Sequence, residues 1–271
     1  MTPQMWSISA LELTVLWHAI GRDVLPYPLR YRPTEDTAEA YERAYKASAS
    51  GVRAIFDEDM YGPLRVLVEP EARIEVAGFA GTPRGVLPRE DADPAALVRI
   101  HAAVSGRSAV ILTQEPTPDP NRGGTVRMVL VGAHTVARRV LAALPEAPRG
   151  TGAGFEINRA DLDGDDDRPF TGFSDDAPRS RRTEVERFFE RRRTTVAHIA
   201  VYAGGAFDNR PTRKRDFHIM DYPEGRYRVG ATAAIHAAPA ATAELGPHLQ
   251  SLLDRTLREY REDNDPTYEY T

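Results

Sequence analysis

Cysteine is absent from the 271 residues of the chain. That absence excludes a disulfide framework, a zinc ribbon and a thiol nucleophile. Long apolar runs are missing too, and the amino-terminal residues lack the basic start and apolar centre of a signal peptide. We therefore expect a cytoplasmic protein that does not insert into a membrane. A chain of 30.0 kDa can bury enough surface to fold without a metal or a disulfide.

Positive charge is not in excess, because the chain has 35 lysine and arginine residues and 40 acidic residues, which gives a net charge of −5. Binding to a phosphate backbone needs clustered positive charge, so we expect no nucleic-acid partner. Two stretches are rich in arginine, at 179–193 and 210–215. The first alternates with glutamates, which favours a solvated helix face. The alternative is that the protein is a regulator associated with nucleic acid, which it would contact through the arginine-rich helix.

Recognisable catalytic and metal-binding motifs are also missing. The seven histidines form no HxH or HExxH pair, and neither GxSxG nor GxxxxGK[ST] occurs. The aspartate-rich run at 161–167 lacks the glycine and glutamate positions of an EF-hand. We expect no metal, no cofactor and no enzymatic activity. The alternative is an enzyme whose site is assembled from distant residues such as His198, His218 and Asp221.

The first half of the chain contains helix signals followed by strand signals. Ser9 and Glu12 form a capping-box pattern that predicts the start of a helix. A second helix is predicted over 35–48, with Gly51 as its stop. Apolar residues then alternate with a period of two, which predicts four strands. These strands lie at 72–81, 97–106, 108–115 and 125–133, and a helix over 135–144 follows.

The second half follows a similar plan. A capping-box pattern at Thr183 and Glu186 predicts a helix, and a closing leucine-rich helix starts near Gly246. Strands are predicted at 154–157, 195–203, 215–222 and 226–238. The pattern predicts a single α/β (α+β) domain over 1–271, with pseudo-repeat halves of about 1–149 and 150–271 around a shared antiparallel sheet.

Both faces of the predicted strands carry large side chains. In the strand at 195–203, Ile199 alternates with His198 and Tyr202, and in the next strand Phe217 and Ile219 alternate with His218. Antiparallel sheets usually cover one face and leave the other to water. We interpret the second face as covered by something other than the chain's own helices. Helices on both faces are the alternative.

Four segments together resemble the EspG family of type VII (ESX) secretion chaperones. They are LELTVLWHAIGRDVLPYPLRY near the start, LAALPEAPRGTGAGFEINRADL in the middle, DYPEGRY, and the leucine-rich closing helix. The resemblance implies an EspG-like fold, with quasi-twofold symmetry, a central antiparallel sheet and two helical bundles. It also implies a non-enzymatic cytosolic chaperone that binds a PE–PPE heterodimer or a related helical ESX substrate. By shielding the hydrophobic helical tip, such a chaperone keeps its substrate soluble for export.

In this family the partner contacts the central sheet and the carboxyl-terminal bundle. The resemblance implies that the same elements contact the partner in this chain. It does not fix the oligomeric state, for which we expect a monomer or a weak homo-oligomer. Aromatic residues, arginines and large aliphatic residues dominate interface energies. The predicted partner-binding residues are Tyr202, Phe217, Ile219, Arg226, Tyr227, Leu249 and Leu253.

Overall fold

A computed structural model describes residues 4–79, 97–119, 121–160, 176–206 and 213–265, with the backbone alone over 176–181. The sequence-predicted loop at 81–94 and most of the acidic stretch at 161–178 lie outside the described residues. Among the described residues, no helix is long and apolar enough to cross a bilayer.

In the part of the chain that the structure describes, ten strands form one sheet, and every neighbouring pair in it is antiparallel. The strands of the first half are β1 (Met5–Ile8), β2 (Ala72–Phe79), β3 (Val98–Ser105), β4 (Ser108–Gln114) and β5 (Val126–Gly132). Those of the second half are β6 (Phe155–Asn158), β7 (Thr195–Ala203), β8 (Lys214–Tyr222), β9 (Gly225–Ala231) and β10 (Ala234–Pro239).

Six α-helices pack on the two faces of this sheet. They are α1 (Ala10–Ala19), α2 (Ala38–Ile55), α3 (Tyr61–Val68), α4 (Val136–Ala142), α5 (Asp176–Glu190) and α6 (Thr242–Asp263) among the described residues. A 3-10 turn, Glu58–Met60, leads into α3, and a second, Ala133–Thr135, leads into α4.

The strand order is β1-β5-β4-β3-β2-β7-β8-β9-β10-β6, so β2 and β7 meet at the centre. The two halves of the sheet have equivalent strand orders. Counted outward from the centre, the order is β2, β3, β4, β5, β1 on one side and β7, β8, β9, β10, β6 on the other. The mixed α/β fold with a large central antiparallel sheet is therefore confirmed. The division into halves near residue 149, and the duplication it implies, stay predictions.

Side-chain alternation divides the sheet into two faces. On the back face, α4 and α6 cover a core that includes Ile74, Ile100 and Ile199. On the front face, α1, α2 and α3 cover one end, where Leu112 and Met128 are buried. α5 covers the other end of the front face through Phe188. Between these two front-face clusters, β2, β3, β7 and β8 carry polar side chains.

Several local predictions are confirmed in atomic detail. Ser9 Oγ accepts a hydrogen bond from Glu12 N at 3.1 Å, and Ser9 N donates to Glu12 at 2.7 Å, which closes the predicted capping box. The strands predicted in the first half match β2, β3, β4 and β5 closely.

Other boundaries were wrong. The second helix passes through Gly51 and ends at Ile55. Gly51 lies inside this helix beside α1, where a Cβ would lie 3.0 Å from Glu12 Oε1, and it does not stop the helix. The proposed capping box at Thr183 and Glu186 lies inside α5, where Glu186 pairs with Arg182.

The predicted strand at 226–238 is in fact the hairpin of β9 and β10, because the chain turns at Thr232 and Ala233. α6 starts at Thr242, earlier than predicted, and accommodates Pro247 in its second turn. The strand β1, the helix α3 and the turn before α3 were not predicted.

Candidate functional site

Six of the seven sequence-predicted partner-binding residues lie in the interior of the folded chain. Phe217, Ile219, Leu249 and Leu253 pack together in the back-face core, and Tyr227 packs against Phe188 on the front face. Each of these side chains is at most 3% exposed. A partner that docks on the folded chain cannot reach them, so the surface for contact has to be sought elsewhere.

Arg226, the sixth of them, belongs to a buried ion pair. Its Nε and Nη2 donate to the two carboxylate oxygens of Asp221 at 2.7 and 2.8 Å. Nη2 also reaches Pro145 O at 2.6 Å, and Nη1 reaches Thr242 Oγ1 at 2.8 Å. One guanidinium thus joins the β8–β9 hairpin, the segment after α4 and the start of α6. This arrangement gives the aspartate and arginine of the DYPEGRY segment a structural role.

Tyr202, the seventh, is partly exposed at the edge of a cleft on the front face. The cleft has a volume of about 340 Å³ and lies where α1 and α3 approach β2 and β3. Its apolar walls come from the two helices and from the segment after α1, and its floor is charged. The wall residues are Trp17, Val24, Leu25, Pro26, Tyr27, Leu67, Val68 and Pro70.

The floor of the cleft is a buried ion pair on β2. Arg73 Nε donates to Glu75 Oε1 at 2.8 Å, and Nη1 donates to the carbonyl of Gly204 at 2.9 Å. The guanidinium carbon lies 4.3 Å from the centroid of the Tyr202 ring, a cation–π distance. Burial raises the pKa of Glu75, and the hydrogen bond from Arg73 opposes that rise.

His101 completes the floor from β3. Its Nδ1 lies 2.9 Å from the carbonyl oxygen of Tyr27, and because a carbonyl only accepts, Nδ1 carries the proton. Complete burial lowers the pKa of His101 to about 4, so the ring is neutral at pH 7. The hydrogen bond fixes the loop that carries Val24 and Tyr27, whose side chains are 80% and 54% exposed.

A polar strip continues from Tyr202 along β7 and β8. Asp216 accepts hydrogen bonds from His198 Nε2 at 2.7 Å and Lys214 Nζ at 2.8 Å. Burial would raise the pKa of Asp216, but these two hydrogen bonds outweigh it and the pKa lies below its usual value. The rings of His198 and His218 lie 4.7 Å apart, and burial, aided by His198, lowers the pKa of His218 to about 4.

This strip bears on the alternative that the chain is an enzyme. Two of its three proposed residues, His198 and His218, do meet, but their carboxylate neighbour is Asp216. Asp221 points to the back face, where it pairs with Arg226. Within the described part of the chain, no cluster of His, Asp and Glu side chains could hold a metal ion.

A second recess adjoins the cleft, and its lining is mainly apolar. It lies between α1 and α3, and Val68 lines both recesses. Tyr61, which is 63% exposed, packs edge-on against Phe56 at 5.0 Å between ring centroids. We call this second recess the α1–α3 groove. Together the cleft and the α1–α3 groove form an apolar surface along α1 and α3, and the buried ion pair of Arg73 and Glu75 lies at the cleft side of that surface.

The sequence interpretation missed the cleft residues. Arg73 and Glu75 stand two apart in a strand that is otherwise apolar, and that pairing of opposite charges is a signal of a buried ion pair. Nothing local in the sequence links them to His101 or to Tyr27, because those contacts are made only by strand pairing and by the loop after α1.

The structure is therefore a mixed α/β protein with a large antiparallel sheet and a cleft that has apolar walls and a charged floor. The chain belongs to the EspG family, whose model matches residues 9–251. Among solved structures, one similar chain is the Mycobacterium tuberculosis type VII secretion system chaperone EspG5 in complex with the PE25-PPE41 dimer. The TM-score is 0.58 and the sequence identity 13%, over 93% of this chain and 96% of that chain. Among curated proteins, none matches this chain.

Proposed function

We propose that this protein is a cytosolic specificity chaperone of type VII secretion that binds a PE–PPE heterodimer or a related helical substrate. Membership of the EspG family is the observation that carries the proposal. The similar EspG5 chain, which has been solved with a PE25-PPE41 dimer, supports the class of partner. The role is binding and shielding, and it requires no covalent chemistry.

The partner's helical tip docks on the front face, in the cleft and the adjoining α1–α3 groove. An apolar helix end needs an apolar recess, which Val24, Tyr27, Val68 and Tyr61 provide. Tyr202 stays a predicted contact residue, whereas the other six predicted residues are buried in the interior of the folded chain.

Co-expression with PE–PPE-like pairs encoded beside this gene tests the function. We expect a soluble complex with one copy of each chain in size-exclusion chromatography coupled to light scattering. Substrate expressed without this chain should be recovered mainly in the insoluble fraction. If every neighbouring pair fails to bind the folded protein, the proposed function is refuted.

The substitution Val24→Asp tests the docking surface. Val24 is 80% exposed, so the fold should tolerate the change, while a carboxylate in an apolar contact should weaken binding by about 2 kcal/mol, or roughly thirtyfold. Met5→Asp is the matched control, because Met5 is 61% exposed on the edge strand β1 and outside both recesses. Equal affinities for the two variants in isothermal titration calorimetry would show that the tip docks elsewhere.

A further inference from the structure

Four side chains that carry or can acquire positive charge gather on the back face, at the end of the sheet formed by β9 and β10. Arg228 comes from β9 and His236 from β10, while His248 and Arg255 come from α6. The Nη1 atom of Arg228 lies 3.1 Å from each ring nitrogen of His248. Burial lowers the pKa of His248, and the nearby charges of Arg228, His236 and Arg255 lower it further. We call these four residues the basic cluster.

This cluster differs from the other partly or fully buried arginines discussed above. Arg73 and Arg226 are each paired with a carboxylate. Within the described ranges, neither Arg228 nor Arg255 forms an ion pair with an acidic side chain. Glu156 of β6 faces His236 in the strand register but is exposed and forms no ion pair with the cluster. A half-buried guanidinium without a counter-charge is costly, and a bound anion would offset that cost.

Small residues lie opposite two members of the basic cluster in the strand register. The register places Arg228 opposite Ala238 and His236 opposite Gly230, with all four side-chain positions on the back face. A Cβ at Gly230 would lie only 2.2 Å from Cε1 of His236, so the glycine lets the imidazole lie close over the strand. The register thus places His236 and Arg228 on the same face of neighbouring strands, and His248 of α6 lies against the guanidinium of Arg228.

We propose that the basic cluster is an oxyanion-binding site that takes a phosphate or carboxylate group. Arg228 supplies the fixed positive charge and the N–H donors, and the two histidines add donors when they are protonated. The site lies on the face of the sheet opposite the cleft, so it does not depend on the proposed chaperone function.

Binding to this site takes up protons. An anion among the four residues stabilises the imidazolium form of His248 and raises its pKa in the complex. The groups around His248 are Arg228 of β9, His236 of β10, Phe217 of β8 and Arg255 of α6, and Glu156 of β6 lies opposite His236 in the strand register. Affinity should therefore increase as the pH falls from 8 to 6.

Histidine ring signals in ¹H–¹³C NMR spectra of the full chain test the site, with inorganic phosphate and a tetraglutamate peptide as separate probes at constant ionic strength. We expect saturable shifts of the His236 and His248 signals, while those of His198 and His218 stay unchanged as internal controls. Tighter binding of phosphate assigns the site to phosphoryl groups, and tighter binding of the peptide assigns it to acidic protein segments. Shifts that do not saturate with either probe would overturn the proposal.

Arg228→Gln should weaken binding of the better probe at least tenfold. Arg255→Gln, at an exposed position, should weaken it by a smaller factor without disturbing the fold. Arg138→Gln on the exposed side of α4 is the matched control and should bind like the unaltered chain. Unaltered ring signals of His198 and His218 show that each variant is folded. Equal affinities for Arg228→Gln and Arg138→Gln would also overturn the proposal.

Discussion

Replacing Arg226 by methionine should destabilise the protein strongly, because it leaves the carboxylate of Asp221 buried without its partner. The two side chains are 1% and 2% exposed and share two hydrogen bonds of 2.7 and 2.8 Å. Removing one member of such a pair costs about 3–5 kcal/mol. The substitution also removes the contacts to Pro145 O and Thr242 that connect three segments of the chain.

The expected loss corresponds to a fall in the melting temperature of roughly 6–20 °C for a chain of this size. Urea unfolding followed by circular dichroism should show a lower midpoint with an unchanged slope. The double variant Arg226→Met/Asp221→Leu removes both charges and should recover a large part of the loss, since an apolar pair of similar volume is often neutral. A single variant that loses less than about 1 kcal/mol, or a double variant no better than the single one, would refute the structural role of this ion pair.

The remaining predictions concern backbone and protonation. Gly225→Ala should destabilise by about 1–3 kcal/mol, because φ is +124° and a Cβ would lie 2.5 Å from Arg149 O. Gly246→Ala in α6, where a Cβ meets nothing within 4 Å, should instead raise the free energy of unfolding by about 0.5–1 kcal/mol in the same urea experiment. The pKa values of His101 and His218 are lowered to about 4 in the folded chain, so their contribution to stability is present above pH ~6.5 and is lost as the pH falls towards 4. NMR titration should find both rings neutral at pH 5, and a midpoint near 6.5 for either would contradict its burial.

Much of the sheet could be predicted because its signal is local. The strands β2, β3, β4, β5, β7 and β8 each carry an uninterrupted apolar or alternating pattern, and Gly106, with φ of +57°, marks the tight turn between β3 and β4. The turn between β9 and β10 has no glycine, proline or asparagine, so two strands look like one. Gly51 resembles a helix stop, but α2 continues through it to Ile55.

The site could be predicted only as a family expectation, because alternation shows which residues share a face and not what covers that face. Phe217 and Ile219 look like exposed anchors until α6 is placed over them. Arg226 looks like an interface arginine until the hairpin brings Asp221 beside it. The cleft joins α1, α3, β2 and β3, and no short stretch of sequence contains that arrangement.

Hydrogen–deuterium exchange of the chain with and without its helical partner tests the account most directly. The account predicts that binding slows amide exchange in two segments that border the cleft and the groove, residues 16–27 and 64–75. Slower exchange confined to α4 and α6 on the back face, with no change in those two segments, would contradict it.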